Sequence, residues 1–274
     1  VVEDGRSGIF GFGALPDGST PDGDNVYEIG SITKVFTAVT LATMVEGGEV
    51  AVTDSLGTLL PDRTGLYSGA TRSSPAVSLI TLGQLTTHTS GLPRLPQSLS
   101  DVELTSNDPY AGYSLDRLWQ DLSGVELNNA PGVSYEYSNF GAGVLGQVLA
   151  DQAGVDYASV LADRVTEPLG LADTTLSLSA DQRARFVPGF VLGTDESAPP
   201  WEMNALAPAG GLKSTARDLT AFIAANLDAA AGGRPIDRAL ALSHNELYSG
   251  FGVQQAYGWV MQEQIWGQRV HWHN

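Results

Sequence analysis

The stretch "EIGSITKVFTAVTLATMVEGG", residues 28 to 48, constrains the fold more than any other part of the chain. Ile32, Val35, Phe36, Val39, Ala42 and Val45 recur at helical spacing, which predicts a helix with Ser31 as its candidate N-cap and Gly47-Gly48 as its stop. Ser31 and Lys34 then lie one turn apart on nearly one face, in a chain whose only lysines are Lys34 and Lys213. Taken alone, such a serine is a cap and such a lysine a surface charge. The chemical reading is a nucleophile. A hydroxyl in the positive field of a helix N-terminus, beside a partly desolvated amine that shares or accepts its proton, needs no histidine.

The rest of the chain reads as strands and helices without a separating linker or repeat. The opening "GIFGFGALPDGSTPDGDNVYEIGS" alternates apolar residues with glycine, passes an Asp-Gly turn and resumes at Val26 and Tyr27, which predicts two strands leading into Ser31. Thr81 and Gln84 form a capping-box pattern before Leu85, and Gly91 and Pro93 end that short helix. Residues 94 to 135 are loop-rich with weak periodicity, before "FGAGVLGQVLADQAG" and "YASVLADRVTEPLG" resume helical patterns. "PAGGLKSTARDLTAFIAANL" reads as a Gly-rich turn, a cap at Ser214 or Thr215, and a helix whose apolar stripe uses Leu219, Phe222, Ile223 and Leu227. The final "YGWVMQEQIWGQRVHWHN" alternates like paired strands around Trp266-Gly267.

Composition removes several function classes. A formal charge of -17 repels nucleic-acid phosphate, so no nucleic-acid partner is expected. The absence of cysteine excludes disulfides, thiolate metal sites and a cysteine nucleophile. No apolar run is long enough to cross a bilayer. The chain begins at Val1 without a methionine, and an exported location, periplasmic or extracellular, is expected although no signal is visible.

A second constellation lies in "YEYSNFGAGVLG". Tyr137 and Asn139 are separated by one residue, so in an extended loop both can face one cleft. A nearby ammonium such as Lys34 would favour the phenolate of Tyr137 and make it a proton acceptor for Ser31, while Asn139 could hold a substrate amide.

With "EIGSITKVFTA", "LTTHTSGLP", "YSN", "EPLGL" and "AGGLKSTARDL" in this order, the chain resembles the serine β-lactamase and penicillin-binding-protein superfamily. The likeness is greatest to the branch of class C β-lactamases, D,D-peptidases and related esterases. It implies an α/β (α+β) fold, an antiparallel sheet flanked by helices with a mainly helical subdomain. The expected division is an α/β subdomain of residues 1-75 and 205-274 and a helical subdomain of residues 76-204. The resemblance makes Ser31 the acyl-accepting nucleophile, Lys34 its proton partner and Tyr137 the base. It gives Asn139 a substrate-positioning role and "HTSGLP", His88 included, a structural one. Lys213, beside a helix cap, is read as a surface charge.

The superfamily's third motif, Lys-Thr-Gly or His-x-Gly, is matched by "VHWHN" with His273 in first place, making His273 a substrate-binding residue. Here the sequence departs from the pattern, because Asn274 precedes the expected glycine and the strands and helix that complete the family's sheet. Either the sequence continues beyond Asn274 or a complementary C-terminal polypeptide completes the fold, and the latter is expected, supplying one oxyanion donor while the Ser31 amide supplies the other. His271 and His273 are spaced like metal ligands, but no third ligand stands at a recognisable spacing, so neither a metal nor an organic cofactor is expected. The expected function is hydrolysis of small esters or D-amino-acid amides and peptides through a covalent acyl-enzyme. A β-lactamase, or a penicillin-binding sensor that acylates without turnover, is the alternative.

Overall fold

The computed structural model of the protein describes residues 1–3, 5–61, 75–100, 108–191, 193–194 and 196–274. Among these residues eight short strands form: β1 (Val2–Glu3), β2 (Arg6–Ser7), β3 (Val26–Glu28), β4 (Lys213–Thr215), β5 (Tyr248–Gly250), β6 (Val253–Gln255), β7 (Val260–Glu263) and β8 (Arg269–Trp272). They make three antiparallel sheets, β1 with β2, β3 with β4, and a meander in the order β5-β6-β7-β8. Helices supply most of the remaining structure, so the architecture is the expected mixture of antiparallel strands and helices.

The helix Thr33–Glu46 is the axis of the fold. It is buried almost all round, with Thr33, Thr37 and Thr40 as inaccessible as Val35, Phe36 and Val39. A helix apolar on every side belongs inside a domain. Its threonines meet the cost of burial by bonding to backbone: Thr40 Oγ1 donates to the Phe36 carbonyl at 3.0 Å, and Thr37 Oγ1 donates across to the Pro208 carbonyl at 2.8 Å. The same core continues through Leu82, Leu85, Phe140 and Val144 to Leu240 and Tyr257, so one apolar cluster joins the helical middle of the chain to its last third.

Two glycines set how closely other elements approach this helix and its neighbour. At Gly258, φ is +70°, and an added Cβ would lie 2.8 Å from Ala38 Cβ and 3.0 Å from the Lys34 carbonyl oxygen. Only glycine allows the turn between β6 and β7 to rest on the helix backbone there. A Cβ at Gly146 would lie 2.3 Å from Pro208, so the helix Asn139–Ala153 packs directly on the turn Ala207–Gly210.

Several sequence expectations hold in detail. Thr81 and Gln84 make both bonds of a capping box on the helix Leu82–Thr86, and Thr215 caps the helix Ala216–Asp228. β7 and β8 pair around the turn at Trp266-Gly267, with Met261 opposite His271.

Others are corrected. Of the two strands expected before Ser31 only β3 forms, because the alternation after Gly8 buries no face: Phe10 and Phe12 are 70% and 85% exposed. Within the loop-rich stretch a ten-residue helix forms, Leu115–Gly124, capped by Ser114 and held by the buried Leu118 and Leu122. Residues 101–107 of that stretch lie outside the described residues. The stripe on Ala216–Asp228 is narrower than expected, since Phe222 is buried but Ile223 and Leu227 face solvent.

Lys213 is not a surface charge. The pairing of β3 with β4 sets it opposite Glu28 and leaves it 3% exposed, with Nζ donating to the carbonyl oxygens of Trp201 at 3.1 Å and Leu176 at 3.3 Å. Those two carbonyls supply the hydrogen-bond partners that burial takes away from water.

Candidate active site

Gly30, at φ +49°, turns the chain out of β3 into a 3-10 turn, Gly30–Ile32, that runs directly into Thr33–Glu46. Neither the turn nor the helix has a side-chain cap, which corrects the reading of Ser31 as an N-cap. Its hydroxyl is directed elsewhere. Ser31 Oγ accepts a hydrogen bond from Lys34 Nζ at 3.0 Å and another from the Tyr137 hydroxyl at 2.7 Å. Backbone N–H groups in a first helical turn lack intrahelical acceptors, so the Ser31 amide is an available donor beside its own oxygen.

Lys34 is 3% exposed. Its second bond, 2.6 Å to the carbonyl oxygen of Ala209, fixes the amine between Ser31 and the turn Ala207–Gly210. Burial, reinforced by the positive charge of Arg94, pulls the ammonium down to about 7. Near neutrality the amine is thus present in both protonation states.

Tyr137 stands in the loop before the helix Asn139–Ala153, and the "HTSGLPR" segment holds that loop in place. The Glu136 amide donates to the His88 carbonyl at 2.7 Å, the Ser138 amide to His88 Nδ1 at 3.2 Å, and the Ser138 hydroxyl to the Pro93 carbonyl at 2.7 Å. The amide of Asn139 donates to the Arg94 carbonyl at 2.9 Å. His88 takes a left-handed backbone, φ +58°, is 5% exposed, and lies under Tyr137 with ring centroids 4.5 Å apart. Burial, with the nearby charges of Lys34, His273 and Arg94, pulls His88 down to about 3, so the ring is neutral, accepts at Nδ1 and carries its proton on Nε2. This is the packing and hydrogen-bonding position expected of it.

One electrostatic expectation is revised. Burial raises the Tyr137 phenol above its ordinary range, and the opposing influences are its bond with Ser31 and the charge of Arg94, not an ammonium on Lys34. The amine, partly unprotonated near neutrality, is the more available proton acceptor of the two. Arg94 went unnoticed in the sequence. Its guanidinium lies 5.0 Å from the Tyr137 ring centroid, and Lys34 Nζ lies 4.8 Å from the same point.

Asn139 and His273 complete the cluster in different ways. Asn139 Oδ1 is buried and has no hydrogen-bond partner among the described residues. His273, just past β8, has its ring 6.4 Å from that of Tyr137. Burial and then the charge of Lys34 pull it down to about 4, which leaves it neutral at pH 7. The ring of His271 lies 4.9 Å from that of His244, and its Nε2 meets the His244 carbonyl at 3.1 Å. No group of three or more metal-ligating side chains gathers among the described residues.

Ser31, Lys34 and Tyr137 are thus bonded together from two parts of the chain, and the His273 ring near the other end comes within 6.4 Å of that of Tyr137. A cavity of about 640 Å³ beside Glu46, Arg164, Arg234 and Arg238 lies away from this cluster, and its three arginines are ion-paired.

Comparison with known proteins agrees with the geometry. A family model described as Beta-lactamase matches residues 1–274. The chain is 31% identical over 226 residues to the D-alanyl-D-alanine-carboxypeptidase/endopeptidase AmpH of Escherichia coli (strain K12), an alignment covering 80% of this chain and 54% of that protein. It thus spans about half the length of that relative. It is 27% identical over 266 residues to a beta-lactamase of Pseudomonas fluorescens, covering 95% of this chain and 68% of the other. The crystal structure of a beta-lactamase/D-alanine carboxypeptidase from Pseudomonas syringae matches with a TM-score of 0.77 and 25% identity, over 95% of this chain and 68% of that one.

Proposed function

The chain belongs to the beta-lactamase family, and from that premise we propose that it is a serine hydrolase acting through a covalent acyl-enzyme on small esters or D-amino-acid amides and peptides. The observation that carries this reading is Ser31 Oγ held at once by Lys34 Nζ at 3.0 Å and the Tyr137 hydroxyl at 2.7 Å. In the reactive form the neutral Lys34 amine takes the Ser31 proton as Oγ bonds to the substrate carbonyl carbon. The Ser31 amide donates to the developing oxyanion. As the tetrahedral intermediate collapses, Tyr137 gives its proton to the departing oxygen or nitrogen and regains one from the Lys34 ammonium. Water then attacks the ester, its proton passes to the same pair, and Ser31 leaves reprotonated with the acid released. Lys34 receives the first proton in this scheme because burial leaves its amine partly unprotonated near neutrality while keeping the Tyr137 phenol protonated.

Asn139 Oδ1, buried and unpaired, is suited to a substrate amide N–H, which favours acylated amino compounds and peptides. His273 is neutral and so is a poor fixed cation for a β-lactam carboxylate. β-Lactam hydrolysis therefore stands second, and stable acylation without release third. β8 is paired by β7 on one side, and a further strand pairing along its other side would bring a second oxyanion donor beside His273. Export from the cytoplasm belongs to the same reading. Among the described residues no helix is long and apolar enough to cross a membrane.

The test is labelling with a fluorophosphonate, followed by intact-mass analysis after incubation with an ester, a D-alanyl peptide or a penicillin. A mass adduct on Ser31 that decays with product release supports hydrolysis, and one that persists supports the sensor. No adduct with any of these reagents overturns the proposal.

A further inference from the structure

We propose that Arg94 is the anion anchor of this site, pairing with a carboxylate on the acyl half of the substrate, next to the amide held by Asn139. The inference rests on the serine-hydrolase reading and narrows its substrate class to acyl donors that carry both an amide N–H and a carboxylate.

The argument begins with the charges around Ser31. The chain carries 14 lysines and arginines against 31 acidic residues, and most of its folded guanidinium groups are tied to carboxylates. Arg164, Arg185, Arg217, Arg234 and Arg238 all make ion pairs. The guanidinium of Arg94 makes no ion pair and no hydrogen bond among the described residues, and its side chain is on an exposed residue. It is nevertheless not adrift. Its backbone carbonyl accepts from the amides of both Asn139 and Phe140, at 2.9 and 3.2 Å, and its guanidinium lies 5.0 Å from the ring centroid of Tyr137. That ring's hydroxyl is bonded to the nucleophile. An unpaired planar cation is thus fastened to the rim of the reacting centre, with five N–H donors available to a carboxylate.

The other basic groups of the site cannot take this part. Lys34 is consumed by Ser31 and the Ala209 carbonyl. His273 and His88 are held neutral by burial. That leaves Arg94 as the fixed charge, and a guanidinium is the group whose fork fits a carboxylate in two places.

Its position says which half of a substrate it meets. Arg94 is bonded through its backbone to Asn139, whose orphaned Oδ1 is the acceptor for an acyl-side amide, whereas His273 approaches Tyr137 from β8. A carboxylate a few atoms from that amide falls to Arg94. One attached to the leaving group does not.

The experiment compares 4-nitrophenyl esters of N-succinylglycine and N-butyrylglycine, which share a leaving group and an amide and differ in the terminal carboxylate. Release of 4-nitrophenol, read as burst or steady state, gives a kcat/KM ratio for the two. The wild-type protein is expected to favour the succinyl ester, and in Arg94→Gln the ratio should fall about tenfold, as for loss of one charge-assisted pair. Arg94→Lys should restore part of it, and added salt should lower the wild-type ratio. A third ester, with the carboxylate on the phenol instead, should be insensitive to the change. An unaltered ratio in Arg94→Gln overturns the anchor, as does a loss confined to the third ester. So does a wild-type protein that is labelled by fluorophosphonate at Ser31 yet releases phenol from neither glycine ester. If Ser31 is not labelled at all, it is the hydrolase reading that has failed, and the anchor falls with it. Fluorophosphonate labelling of each variant reports whether its site is still assembled.

Discussion

Lys34 Nζ reaches Ser31 Oγ at 3.0 Å from a helix position that is 3% exposed, with no carboxylate bonded to the amine among the described residues. Among the described residues the amine is held by the Ser31 hydroxyl and the Ala209 carbonyl, and this sets how the site should answer to pH. Activity is expected to require neutral Lys34, whose folded value is lowered to about 7. Rate should therefore rise with pH through about 7 with the loss of one proton and level off above. Measured kcat/KM for an ester from pH 5 to 9 checks this, and Lys34→Met should lower the rate roughly 10²- to 10⁴-fold, the usual range for a lost acid-base group.

Ser31→Ala should abolish the acyl adduct and leave the fold intact. Because the Ser31 hydroxyl caps no helix, the change in stability should stay within about 1 kcal/mol. Intact-mass analysis with a fluorophosphonate and a thermal melt together check both halves.

Tyr137→Phe keeps the ring against His88 and removes the bond to Ser31. The expected result is a kcat lowered roughly 10²- to 10⁴-fold with little change in KM, since proton transfer is lost and packing is not. Steady-state and burst kinetics on one ester separate the two parameters.

His88 lies under the Tyr137 ring and bonds the loop that carries it. His88→Val would leave the Ser138 amide without its acceptor and force a β-branched residue into φ +58°. A loss of about 2–4 kcal/mol is expected from the unpaired donor and the backbone strain. Asparagine tolerates that backbone and carries an acceptor, so His88→Asn should lose less. Thermal melts of both variants decide it.

Acid should destabilise the fold early. His88 is pulled down to about 3, and His244 and His273 to about 4, so each favours the folded state only while neutral. Their stabilisation is complete above the unfolded value near 6.5 and is lost progressively as pH falls toward 4 and below. Melting temperature measured from pH 7 down to 4 should decline through that window, and less steeply in His88→Asn.

The sequence made Ser31 and Lys34 readable because a spacing of three along one helix is local geometry, and Tyr137 and Asn139 because they share one short loop. What it could not show was set by contacts far apart in the chain. Arg94 matters only because the segment after "HTSGLP" folds back beneath Asn139 and over the ring of Tyr137. Lys213 looked like a surface charge until β3 covered it, and the loop-rich stretch hid a helix whose hold on the core comes through Leu118, Trp119 and Leu122. The cap reading of Ser31 failed for a different reason. A 3-10 turn precedes the helix proper, and that turn frees the hydroxyl for another use.

The bond from Lys34 to the Ala209 carbonyl, made across 175 residues of sequence, has a kinetic meaning. An ammonium there spends one N–H on Ala209 and one on Ser31; a neutral amine keeps the first and turns its lone pair toward the second. The heavy atoms stand still while the hydrogen moves. Each cycle of protonation thus needs no rearrangement of the scaffold, and the amine pivots about a fixed point like a relay contact that opens and closes without leaving its mount.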